Sequence, residues 1–173
     1  MSISLYEASV GNYLQILNAM TGVLAKGRLW CAESGVDAET LVETALYPDM
    51  RPFRFQVQSA AFHSLGAVEA MRSGVLNLVT DRPAHDYAGL EALVAETRDA
   101  LSALTPESID ALAGREVVFE ARGMRRLFST EGFLLSFSLP NFYFHATTAY
   151  GILRSRGVPI GKIDYMGQLR LKG

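Results

Sequence analysis

Apolar positions recur at helical spacing from the start of the chain. Tyr6, Val10, Tyr13, Leu17, Met20 and Leu24 follow alternating steps of four and three, the seam of a helix that buries one stripe. Ser4-Leu5-Tyr6-Glu7 has capping-box spacing, in which the serine hydroxyl and the glutamate carboxylate each take an orphan amide. Gly35 suits a helix stop, so the first helix is expected over about 4–34. Asp37 opens a short helix towards Leu46, and Pro48 and Pro52 then impose an extended passage. A second helix is expected over 53–72, with Phe53, Val57, Ala60, Ala61, Leu65, Val68 and Met71 on its apolar side and Gly74 beyond its end.

Residues 75–86 read as irregular, with Asp81-Arg82-Pro83 as a turn. Asp86 caps a third helix over 87–104, whose seam is Tyr87, Leu90, Val94, Thr97, Leu101 and Leu104. Thr105-Pro106-Glu107 starts a short helix, an N-cap followed by proline at the first helical position. The period then changes. Val117, Val118 and Phe119 are β-prone and Gly123 offers a turn, so a small hairpin is expected over 115–129. Thr130 caps a fourth helix over 130–156, closed by Gly157. The pattern predicts an all-α fold: a four-helix bundle with a small β-hairpin before the last helix, one domain across residues 1–173.

Length agrees, since 173 residues make one ordinary domain. An apolar share of 49% against 20% charged residues excludes a disordered chain. Sixteen basic and eighteen acidic residues leave a net charge of −2, so no nucleic-acid partner is expected. Charge is nonetheless uneven. Glu33, Asp37, Glu39, Glu43 and Asp49 cluster before the second helix, while Arg154, Arg156, Lys162, Arg170 and Lys172 crowd the tail. Complementary packing, a docked tail or a dimer contact would each use that asymmetry. Cys31 is the sole cysteine, which excludes an internal disulfide and a cysteine-cluster metal site, and it reads as a packing thiol.

The first twenty residues carry no Lys or Arg and are broken by Glu7, Asn12, Gln15 and Asn18. No signal peptide is read there, and the cytoplasm is the expected compartment. Residues 132–153 carry no charge, enough to cross a bilayer by length. Ser136, Ser138, Pro140, Asn141, His145, Thr147 and Thr148 interrupt that stretch, which favours a helix buried in a protein core over a membrane span.

The same helix holds the candidate chemistry. Ser138, Asn141, His145 and Thr148 fall on one face in steps of three, four and three. A solvent face would carry Lys and Glu, so this stripe points to a cavity, a buried polar network or a partner. Pro140 is expected to kink the helix beside it. Asn141 and His145 have the spacing that lets two side chains grip one metal, although an amide is a poor transition-metal ligand. His63, on the second helix near Gln56 and Ser59, is the other candidate, and His85 reads as a solvated loop residue. For His145 three readings stand: a satisfied structural histidine, a metal-free pocket residue, and a metal ligand. No phosphate loop, HExxH or GxSxG motif is present.

Four segments together carry a resemblance: Ser4 to Val10; Pro48-Asp49-Met50 with Pro52 and Gln56-Val57-Gln58; Leu139 to Tyr150; and Gly157-Val158 with Gly161-Lys162 and Asp164-Tyr165. The chain resembles an uncharacterised bacterial family of unknown function within the DinB/YfiT-like four-helix-bundle superfamily. The resemblance implies a bundle with one long crossover, in a homodimer. In many members three histidines hold a divalent metal, one from the second helix and an HxxxH pair from the fourth. Some of those are transferases or isomerases that use a low-molecular-weight thiol. Here the pair position reads Asn141-Phe142-Tyr143-Phe144-His145, with asparagine in place of the first histidine, and His63 would stand for the second-helix ligand.

Two functions are therefore expected as alternatives. One is a dimeric small-ligand-binding module with a pocket beside the fourth helix, lined by Asn141, His145, Thr148 and His63. The other is a metal-dependent enzyme, a thiol transferase or isomerase, with a degenerate site built on His63, Asn141 and His145. The second requires His63 and His145 to approach each other.

Overall fold

The structure is a computed structural model that describes residues 3–79, 81–121 and 123–172. Met1, Ser2, Thr80, Arg122 and Gly173 lie outside the described residues. Four long helical runs form the bundle. The first is a π-helical turn, Glu7–Gly11, continuing into α1 (Asn12–Ser34). The short α2 (Glu39–Val42) precedes the second run, which is α3 (Phe53–Ala61), a π turn at Phe62–Gly66 and α4 (Ala67–Ser73). Strand β1 (Val75–Asn77) comes next, then the third run, α5 (Tyr87–Ser102), and the short α6 (Pro106–Asp110). Strands β2 (Glu116–Ala121) and β3 (Met124–Ser129) lead into the fourth run: α7 (Thr130–Phe133), a π turn at Leu134–Ser138 and α8 (Leu139–Ser155). The small α9 (Lys162–Met166) follows.

Helix α3 packs along α8, and α1 along α5. Tyr13, Phe53, Tyr87, Phe133 and Phe142 are fully buried at the centre. The Phe53 and Tyr87 rings stack at 6.0 Å. The Tyr87 hydroxyl donates to the Leu24 carbonyl at 2.9 Å, which brings α5 close to α1 at Gly27. A Cβ on Gly27 would lie 2.3 Å from that hydroxyl, so only glycine permits the approach.

The hairpin forms as the pattern predicts, but it is one side of a three-stranded sheet. β1 pairs parallel to β2, Val75 opposite Val118, and β2 pairs antiparallel to β3, Glu116 opposite Ser129. The reading of 75–86 as wholly irregular is thus corrected at its start. Three residues show no period, and a parallel partner 43 positions away is invisible to local pattern.

Caps also differ in detail. Asp86 and Thr105 accept from the Gly89 and Ser108 amides. At the start only half the capping box forms: the Glu7 amide donates to Ser4 Oγ at 3.2 Å, while the Glu7 carboxylate pairs with Arg170. Ser129, not Thr130, caps the fourth run, accepting from the Gly132 amide. Thr130 is buried and donates to the carbonyls of Leu112 and Arg115. Pro140 lies in the first turn of α8, just after the Leu134–Ser138 π turn. The widened turn and the helix start together absorb its missing amide hydrogen.

Among the described residues the tail docks on α1 and makes no ion pair with the acidic cluster at 33–49. Asp164 pairs with Lys26 at 2.6 Å, Gln15 donates to the Met166 carbonyl, and Arg170 bonds Glu7 and Asn12. Glu43 pairs instead with Arg54, and Glu39 accepts from the Tyr87 amide. No helix among the described residues is long and apolar enough to cross a membrane.

Candidate functional site

Two of the π turns face each other. His63 lies in the turn at Phe62–Gly66, and Phe137 and Ser138 lie in the turn at Leu134–Ser138. A π turn breaks the regular backbone ladder and re-aims side chains, which is why such turns gather at functional sites. The Ala67 amide reaches the Ser64 carbonyl. The His63 carbonyl accepts instead from the Ser138 hydroxyl, at 2.7 Å across the bundle. Tyr13 Oη and Ser138 Oγ are 2.5 Å apart. Ser138 has one proton and spends it on His63, so the Tyr13 hydroxyl is the donor of that pair. Burial holds the Tyr13 phenol well above its ordinary range, and it stays protonated. Ser138→Ala strands a buried hydroxyl and a buried carbonyl together. We expect a loss of about 1–3 kcal/mol, read as a lower urea midpoint with an unchanged slope.

Of the polar stripe, Ser138 therefore ties helices together. Asn141 Nδ2 donates to the Phe137 carbonyl at 2.7 Å, and the Thr148 hydroxyl to the Phe144 carbonyl at 2.7 Å. Both bond back into their own helix, the usual habit of short polar side chains. His145, like Ser138, reaches across, its Nδ1 lying 2.8 Å from Gln56 Oε1. The near-parallel rings of His63 and His145 have centroids 5.6 Å apart, at an interplanar angle of 13°. The structure thus brings these two residues together, and leaves the side-chain donors of Asn141 and Thr148 on backbone carbonyls.

The hydrogen bonds assign the His145 tautomer. Gln56 Nε2 donates to the Arg51 carbonyl at 2.8 Å, so Gln56 presents its oxygen to His145. An oxygen only accepts, so Nδ1 carries the His145 proton and Nε2 offers a lone pair. Burial, then the Arg82 charge, push the His145 imidazole down to about 4. Burial, His145 and Arg82, in that order, push His63 to about 3. Both rings are neutral near pH 7. His63 Nδ1 is buried and has no hydrogen-bond partner.

Aromatic rings close a circuit around the pair. Arg82 lies 4.4 Å from the Phe55 ring centre, Phe55 meets His145 edge-on at 5.9 Å, and His145 faces His63. His63 meets Phe62 at 5.1 Å, and Phe62 returns to Arg82 at 5.7 Å. Phe137 and Phe144 add edges to His63 and His145. Arg82 Nη1 also donates to the buried Ser59 hydroxyl at 2.9 Å. Sequence pattern placed Arg82 in a turn and gave it no role. An arginine beside proline was the available signal, but its position depends on how the loop folds back. His85 is not simply solvated: it is half-buried, with Nδ1 2.9 Å from Gln58 Nε2. Cys31 is buried and its thiol is pushed up, first by burial and then by Asp37, as befits a packing thiol.

This donor set does not suit a resident divalent cation. Among the described residues no three His, Cys, Asp or Glu side chains come together. The two imidazoles have no carboxylate to offset a dication, and the Arg82 charge already opposes a second cation there.

A family model described as "Domain of unknown function (DUF1993)" matches residues 5–166. The chain belongs to the DUF1993 family. A crystal structure of a DinB family member from Shewanella denitrificans is similar across 98% of this chain and 95% of that one, with a TM-score of 0.81 and 26% identity. This DUF1993 chain therefore has a DinB-like fold, as the helix-four run and the other matched segments imply. No curated protein matches it.

Proposed function

We propose that this chain is a dimeric small-ligand-binding module whose polar centre is the His63–His145 pair. One observation carries the reading: the buried, unpartnered His63 Nδ1 beside an imidazole that offers its own Nε2 lone pair. A buried polar atom without a partner costs about 1–3 kcal/mol, which a ligand's polar group would recover. Gln56 fixes the ring that would meet it, and the surrounding phenylalanines supply apolar walls. Asn141 keeps an acceptor oxygen one helical turn before His145 and would line the same space, with Thr148 one turn beyond. The dimer would cover apolar surface near the chain start, where Ile3 is 81% and Leu135 61% exposed.

The test is a thermal-shift screen of small protic metabolites on wild-type protein and on His145→Leu. A ligand that raises the melting temperature of wild type but not of a folded His145→Leu variant supports the reading. Equal responses in the two proteins remove it. The alternative, a metal-dependent transferase or isomerase, makes an opposite prediction about metal. After incubation with zinc, manganese and nickel followed by gel filtration, we expect far less than one metal per chain by mass spectrometry. Stoichiometric metal that disappears in His145→Ala would favour the enzyme instead. Light scattering on the same preparation reads the dimer directly.

A further inference from the structure

Phe62 and Arg82, which border the histidine pair, also line a groove. It has a volume of about 420 Å³, within the range of small-molecule sites. Ala61, Phe62, Leu65, Val79 and Leu93 give it apolar walls, and neither histidine of the pair lines it.

The charge at its edge is unusual. Arg54, Arg82 and Arg98 are the half-buried arginines among the described residues; Arg54 and Arg98 each have a carboxylate partner, and Arg82 has none there. Glu69 also lines the groove, but it is exposed and makes no ion pair with Arg82. A second cation, Arg51, sits 5.6 Å from the same Phe55 ring that Arg82 covers. Ser59 takes Nη1 of Arg82. Among the described residues the Nε–Nη2 edge has no partner, and its two parallel N–H donors form the fork that matches a planar carboxylate. Partial burial strengthens such a contact, because less water competes for the donors.

We propose that this groove binds a small apolar carboxylate, with the acid group on the Nε–Nη2 edge of Arg82 and the hydrocarbon body against Leu65, Val79 and Leu93. The site shares Phe62 and Arg82 with the circuit around the histidine pair but needs no ligand at that centre.

Octanoate is the probe, titrated calorimetrically into intact wild-type protein near neutral pH, with octanol and octyl phosphate as companions. We expect saturable one-to-one binding of octanoate. Octanol, which lacks the charge, should bind at least tenfold more weakly. Arg82→Gln should lose at least tenfold in affinity. Leu93→Asp, which leaves the aromatic circuit untouched and puts a negative charge in the groove, should lose a similar amount. Methyl resonances of Leu65, Val79 and Leu93 should move on saturation. The proposal is overturned if octanoate does not saturate, if octanol binds equally well, or if both variants bind as wild type does. Tighter binding of octyl phosphate would overturn the carboxylate assignment. Movement confined to the His63 and His145 imidazole resonances would overturn the location while leaving the histidine centre intact.

Discussion

Acidification from about pH 7 to pH 5 lowers the urea midpoint of the wild-type protein, and His63→Phe removes much of that dependence. An exposed imidazole in the unfolded chain takes up its proton near 6.5, whereas folded His63 does so near 3 and folded His145 near 4. Between those values the unfolded state binds more protons, so stability falls as the pH is lowered. The contribution is fully present above 6.5 and is lost progressively down to about 3. All the causes acting on the two rings have the same sign. Arg82 and Arg51 are the charges around Phe55, and no acidic side chain is among the causes that lower either imidazole. For the largely buried His63 the full window amounts to a few kcal/mol, at about 1.4 kcal/mol for each tenfold change in proton affinity. The comparison belongs between about pH 6.5 and 5, above the range where carboxylates begin to titrate. Equal slopes in the two proteins would mean that the pair does not titrate as the geometry requires.

Phe142→Ala is the most damaging single truncation expected. Phe142 is fully buried on α8, and its ring meets Tyr13 edge-on at 5.0 Å and Tyr143 at 5.6 Å. Removing the ring takes away its transfer free energy and leaves a cavity, about 3–5 kcal/mol together. Domains of this kind are stable by only about 5–15 kcal/mol, so the variant should melt far below wild type and retain a two-state transition. Two positions on, Phe144 is 57% exposed, and Phe144→Ala should change stability by less than about 0.5 kcal/mol. Similar losses in the two variants would show that α8 does not present the Phe142 face to α1.

The contrast between Phe142 and Phe144 rests on a distinction that local pattern could not make. Residues 133–144 hold eight aromatic or aliphatic side chains spread round the helix and no charge, so periodicity identified a buried helix without saying which phenylalanine faces the core. Where apolar and polar residues alternate clearly, as along Tyr13, Leu17, Met20 and Leu24, the buried face was legible, and all four are buried. The polar stripe on α8 was legible as a stripe, but its four members share only spacing. Ser138 bridges helices, Asn141 and Thr148 bond their own backbone, and His145 meets Gln56 and His63. A one-dimensional pattern records the helix face and carries no information about which partner lies opposite.

The amino-acid sequence alone determined the elements and their class: four amphipathic runs, their stops at Gly35 and Gly157, a hairpin around Gly123, and the set of segments that mark a DinB-like family. Those features are encoded within a few residues of one another, because helix periodicity, caps and turns are local physics. Only the tertiary structure decided that β1 joins the sheet, that two π turns face each other, and that Arg82 from an irregular loop closes the circuit around His63 and His145. Each of those depends on contacts between residues far apart in the chain, whose geometry is set by how whole helices pack and where a loop folds back.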